Sequence, residues 1–146
     1  MADPTREQVF EALLALLQDK IPGIRTYTRK VGLPTEFQAA AQPALVLFSP
    51  MENTNQGGLG SPPRRTWHFS IIVYFRVPRN DAGETVMNPL LEAVEAALES
   101  GPSFPAITLG GLVSHCWLEG DTVKESGDTD ADGQGGFVVP GKILVP

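Results

Sequence analysis

Cysteine occurs once in the 146 residues, at Cys116, so no disulfide can close within the chain. That usage fits a protein made in a reducing cytosol. Histidine occurs twice, at His68 and His115, which leaves too few ligands for a zinc site of histidines and cysteines. Long apolar runs are missing, and nothing approaches the ~20 residues that cross a bilayer. A leader pattern is missing too, because Asp3, Arg6 and Glu7 interrupt a start whose apolar residues recur at helical spacing. Basic residues are scarce, with 11 Lys and Arg against 17 Asp and Glu and a net charge of −6. This excludes a protein that grips nucleic acid through clustered cations. The expectation is a soluble cytosolic product with no membrane segment.

What is present suits one globular domain spanning residues 1–146: the chain is 42% hydrophobic. A domain of this length buries roughly 68–70% of its unfolded surface and needs no covalent staple. The charge is polarised along the chain. Residues 1–80 hold nine Lys and Arg against six acids, and residues 81–146 hold two against eleven. Such an imbalance bears on association, not on fold.

The segment "TREQVFEALLALLQ" predicts a first helix. Thr5 and Gln8 stand at capping-box spacing, with Asp3 and Pro4 as an alternative start. Phe10, Leu13, Leu14, Leu17 and Ile21 form its core stripe, and Pro22-Gly23 ends it. Strands are expected at 24–31, at the continuous apolar run 43–49, and at 64–77. In the last, Trp67, Phe69, Ile71, Val73 and Phe75 share a face, while the other face is only partly polar. Residues 50–63, "PMENTNQGGLGSPP", have no period and read as a long loop. A second helix is expected to start at Asn88-Pro89, with Leu90, Leu91, Val94, Ala97 and Leu98 inward, and to stop at Gly101-Pro102. Two further strands lie within 108–123 and at 136–146, where Pro140-Gly141 suggests a bulge or an edge. The predicted fold is α+β in the order αβββαββ. About five strands form a mainly antiparallel sheet with both helices on one face.

Few residues carry chemistry. "DTDADG" places Asp128, Asp130, Asp132 and Gly133 at the first, third, fifth and sixth positions of a calcium loop. The twelfth position falls on Val139, which cannot supply the closing bidentate carboxylate, so these aspartates are weak metal candidates at most. His115 and Cys116 are adjacent on a strand, point to opposite faces and cannot act as a nucleophile–base pair. Gly57-Gly58-Leu59-Gly60 lacks the Lys-Ser/Thr of a phosphate loop, and no helix follows it. No serine stands in a G-x-S-x-G context. No catalytic residue, metal or cofactor is assigned, and the chain is not expected to be an enzyme.

Taken in order, "REQVFEALLALLQ", "QPALVLF", the Trp-led "RTWHFSIIVYF", "NPLLEAVEAALE", "TLGGLVSHCWLEGDTVKE" and "VVPGKILVP" resemble the tail-terminator, or tail-completion, proteins of long-tailed bacteriophages. The likeness spans nearly the whole chain. Its most distinctive block surrounds Gly110, Gly111, His115, Trp117, Glu119 and Gly120, whereas loops 52–60 and 126–136 look unlike any fixed family feature. The resemblance implies a small subunit that forms a ring, usually a hexamer, on the head-proximal end of the tail tube. It would end tube polymerisation and meet the head-tail connector or neck proteins, with sheath or tape-measure protein as further neighbours. It would be assembled in the host cytoplasm and reside in the virion, with DNA passing through the channel unread. Two alternatives remain open: a head-completion or neck protein on the portal side, and a small calcium-dependent binding module.

A closed ring joins two different patches of neighbouring copies. The charge polarity suggests Arg64 and Arg65 as the basic patch and Glu119, Asp121 and Glu125 as the acidic one.

Overall fold

The computed structural model describes residues 4–32, 37–99 and 104–145. Asp3, the expected helix stop at Gly101-Pro102 and the expected strand end at Pro146 lie outside the described residues. Helix α1 (Arg6–Lys20) starts on the expected capping box. The Thr5 hydroxyl accepts from the Gln8 N–H, and the Gln8 side chain accepts from the Thr5 N–H. Val9, Phe10, Leu13, Leu17 and Ile21 are buried, so the predicted stripe is the core face, with Leu14 at its margin.

Two strands follow, β1 (Thr26–Thr28) and β2 (Ala44–Phe48), paired in parallel with a short 3₁₀ turn at Ala39–Ala41 between them. The segment expected to be loop contains a strand, β3 (Glu52–Asn55). It pairs with the first residues of β4 (Arg64–Arg76), so 52–67 is a hairpin whose connection is shorter than the sequence suggests. All four β3 side chains are exposed, so no apolar alternation marks the strand in the sequence.

Helix α2 (Gly83–Ala97) begins earlier than Asn88, and Pro89 lies inside it. Pro89 and Thr85 are both exposed, so the carbonyl that a proline cannot serve lies on the wet side of the helix. The expected inward residues hold: Leu91, Val94 and Leu98 are buried, and Leu90 and Ala97 pack at the margin.

The last three strands are β5 (His115–Leu118), β6 (Val123–Glu125) and β7 (Gln134–Val145). Among the described residues they complete a seven-stranded sheet of order β1-β2-β4-β7-β5, with β3 continuing beside β4 and β6 beside β7. The fold is α+β and mainly antiparallel, as expected; the added strands β3 and β6 are short and exposed.

The edge or bulge expected at Pro140-Gly141 does not occur. β7 is central, paired with β4 from Arg65↔Val145 to Arg76↔Gln134 without a break. The Pro140 carbonyl accepts from the Glu119 N–H, so the proline nitrogen faces the β5–β6 turn and not the β4 ladder. A missing donor costs nothing where the neighbouring chain bends away. Gly141 fulfils a different need. A Cβ there would sit 2.2 Å from the Phe69 ring, and Gly135 stands in the same relation to Phe75 at 2.5 Å. Each ring fills the space over a glycine on the paired strand that a side chain would otherwise take.

The main core cluster lies on the helix-covered side of the sheet, while Ala44 and Val46 of β2 are also buried on the other side. Odd-numbered residues of β4 and β7 (Trp67, Phe69, Ile71, Val73, Phe75, Phe137, Val139, Ile143, Val145) meet α1 and α2. Among the described residues neither α1 nor α2 packs on the other face, where Phe37 lies against Tyr74 and the 3₁₀ turn is held by the Thr26 hydroxyl.

Candidate interaction surface

Three features of the surface stand out by their residues: the helix-free sheet face, the β3–β4 hairpin, and the acidic loop between β6 and β7.

On the helix-free face, the even-numbered side chains of β4 and β7 meet those of β5 and β6. His115 and Trp117 stack at 5.1 Å and 17°. The Nδ1 of His115 accepts from the Ile107 N–H at 3.1 Å, which places the ring proton on Nε2 and occupies the atom a base would use. Trp117 Nε1–H donates to Glu119 at 3.4 Å, and Glu119 also pairs with Lys142. Lys142, with help from the indole N–H, holds the Glu119 carboxyl below its usual range. Cys116 points the other way into the core, and burial pushes its thiol up to about 12. The pair His115–Cys116 is therefore split by the sheet, as strand alternation requires.

Farther along the same face, Ile72, Tyr74, Val123, Glu125, Gly136 and Val138 line an apolar depression of ≈ 230 Å³. Val123 stands 65% exposed beside it. The period-two reading of β4 made half of this surface visible in the sequence. The contribution of β6 was not legible, because three exposed residues, "VKE", carry no period.

The hairpin is rooted firmly and ends freely. Arg6 of α1 forms a bidentate pair with Glu52 at 2.5 and 2.9 Å, and its guanidinium lies 5.1 Å above the Trp67 ring. That pairing holds the Glu52 carboxyl below its usual range. A second clamp, Arg29 with Glu7, ties the end of β1 to α1 and lies over Phe10. Neither clamp was foreseen, since nothing local links Arg6 to Glu52. Beyond the root every residue from Met51 to Arg65 is exposed, and Leu59 at the tip is fully so.

The acidic loop works as a strap. The Asp128 carboxylate accepts from the Gly83 N–H at 2.7 Å, capping α2 from 45 residues away. Gly83 is required there, because a Cβ would fall 1.9 Å from the Ser126 carbonyl oxygen. Asp130 accepts from the N–H groups of Asp132 and Gln134, which folds the loop upon itself. Asp128 and Asp130 thus point at backbone donors, and among the described residues no group of three His, Cys, Asp or Glu is placed to hold a metal ion.

The charged residues singled out in the sequence are kept apart within one chain. Arg64 and Arg65 open β4, paired with Asn55 and Thr54 of β3 and, for Arg65, with Val145 of β7, and they lie on opposite faces because they are consecutive. Glu119 and Asp121 lie at the β5–β6 turn and Glu125 on β6, on the far side of β7. Glu119 is engaged by Lys142, Glu125 accepts from the Gly127 N–H, and Asp121 is exposed.

No family model matches the chain, and no curated protein is similar to it in sequence. Among solved structures it is similar to a chain in the virion of a native gene transfer agent particle. The identity is 12% and the TM-score 0.47, over 91% of this chain and 83% of that one. A likeness of that size carries no function across.

Proposed function

We propose that this chain is a structural protein of a phage tail, forming a hexameric ring on the head-proximal end of the tube. The ring ends tube polymerisation and presents a surface to the head-tail connector, with sheath or tape-measure protein as further neighbours and DNA passing unread. The element pattern from α1 to β7 supports this through its resemblance to tail-terminator proteins.

The observation that carries the reading is the separation of opposite charges on one small domain. Arg64 and Arg65 sit on an outreaching hairpin, while Glu119, Asp121 and Glu125 line the opposite flank of the sheet. Patches that cannot meet within a chain can meet between copies, and a repeated heterologous contact closes into a ring when its rotation permits. Charges there steer orientation and assembly rate more than affinity.

The test combines negative-stain microscopy and mass photometry. Alone, the chain is expected to be a monomer or weak oligomer. Mixed with the tube protein of its virion, it should cap tube ends with rings. Arg64→Glu with Arg65→Glu should sharply lower the number of capped ends while leaving the melting temperature unchanged, and reversal of the acidic partners should restore it. Tubes that elongate undisturbed, or a concentration-independent dimer, would end the ring reading.

A further inference from the structure

We infer that the hairpin tip of one copy seats Leu59 in the apolar depression on the helix-free face of the next copy. This inference rests on the ring reading and names its contact.

Leu59 is fully exposed at the end of an arm in which the stretch 53–66 contains Arg64 and Arg65 and no acid. An exposed apolar side chain at the tip of a hairpin clamped at its root gains by leaving water on docking, against the ordering of the tip, and burying a leucine is among the larger single contributions available. The receiving surface is its complement. Ile72, Tyr74, Val123 and Val138 supply an apolar floor, and Glu125 lies on the rim, with Asp121 two residues before Val123. Apolar-with-basic thus faces apolar-with-acidic.

The chain cannot satisfy this contact by itself. The tip projects from the Arg64 end of β4, whereas the depression lies level with Ile72 and Tyr74. From Arg65 to Ile72 the strand runs roughly 23 Å in the direction away from the tip, at about 3.3 Å per residue. The tip can reach such a depression only on a second copy, and the match of apolar-with-basic to apolar-with-acidic favours that copy as the occupant. The contact joins one end of a subunit to the other end of its neighbour, as a head-to-tail ring demands.

Cysteine cross-linking tests this with the full chain, because the native Cys116 is buried and its thiol is unreactive. Leu59→Cys, Val123→Cys and, on the exposed face of α2, Glu92→Cys are made separately. They are then mixed in pairs at high concentration with copper–phenanthroline as oxidant. The 59–123 disulfide is expected at about tenfold or more over 59–92, because the remaining contact and its charge complementarity hold position 59 near 123 and away from 92. Equal yields, or a predominance of 59–59 links, would overturn the contact. Leu59→Asp and Val123→Asp, each melting as the parent does, should each weaken self-association about tenfold. Unchanged association in both would also overturn it.

The chain carrying both cysteines separates this inference from its premise. A cross-linked series that stops at a closed species supports both. An endless ladder keeps the contact and sinks the ring. Rings seen by microscopy without any 59–123 link keep the ring and sink the contact.

Discussion

Two segments of similar composition, 50–63 with its hairpin strand β3 and 126–136 with its acidic loop, end up with opposite duties. Both are rich in glycine and polar residues and lack any period. The first extends from the body and leaves its tip exposed; the second folds back, caps α2 and runs into the central strand β7. The difference teaches that a polar, glycine-rich stretch says nothing about its own attachment. What decides is whether a distant backbone donor, such as the Gly83 N–H, needs an acceptor.

The strongest way to break the comparison is deletion. Ending the chain before Phe137 removes Phe137, Val139, Ile143 and Val145 from the core, each buried and each contributing roughly 1.5–3 kcal/mol. Domains hold only about 5–15 kcal/mol in total, so this truncation should be insoluble. Replacing Gln56–Pro63 by a two-residue Asn-Gly turn should instead leave a soluble protein melting within a few degrees of the parent. Circular dichroism melts read both outcomes; a cooperatively folded truncation would show that the strand into which the strap runs is dispensable.

A smaller difference is expected from single methyl groups. Gly83→Ala drives a Cβ into the Ser126 carbonyl and should cost about 1–3 kcal/mol, through forced backbone movement. Gly57→Ala meets nothing within 4 Å and should stay within about 0.5 kcal/mol. Urea titrations give both values, and equal effects would mean the α2–loop contact is looser than drawn.

Asp128→Ala removes the remote cap and should cost about 1 kcal/mol, whereas Asp128→Asn keeps an acceptor and should cost little. The triple Asp128→Asn, Asp130→Asn, Asp132→Asn variant should accordingly melt within a few degrees of the parent. Calorimetry should find calcium binding no tighter than about millimolar, since Val139 stands where a closing glutamate is needed. A micromolar constant would recast the strap as a metal loop.

The smallest effect concerns the hairpin root. Glu7, Glu52 and Glu119 are each held below the ordinary carboxyl value of 4.5, by Arg29, Arg6 and Lys142 respectively. A depressed folded value stabilises fully above the unfolded one and is lost as pH falls through the folded one. Melting temperature should therefore decline as pH drops below about 4.5, the unfolded carboxyl value, and Glu52→Gln should remove part of that slope. These pairs are exposed and screened, so the change at neutral pH should be slight. Identical acid slopes in parent and variant would mean that Arg6 and Glu52 do not pair in solution.

Where a period exists, the face of an element that meets the core is legible in the sequence, though Leu14, Leu90 and Ala97 end at its margin. The capping box at Thr5, the stripe of α1, the alternation of β4 and the inward leucines of α2 follow from local geometry that every residue in the element shares. The split of His115 from Cys116 follows in the same way. The start of α2, the strands β3 and β6, and the central place of a strand containing Pro140 were decided by the tertiary structure. Each depends on a partner far along the chain: Asp128 for the Gly83 N–H, the exposed end of β4 for β3, and the β5–β6 turn for the bare nitrogen of Pro140. Periodicity records which face of an element meets the core. It is silent about edges and caps, because those are fixed by single hydrogen bonds to backbone that any residue could supply.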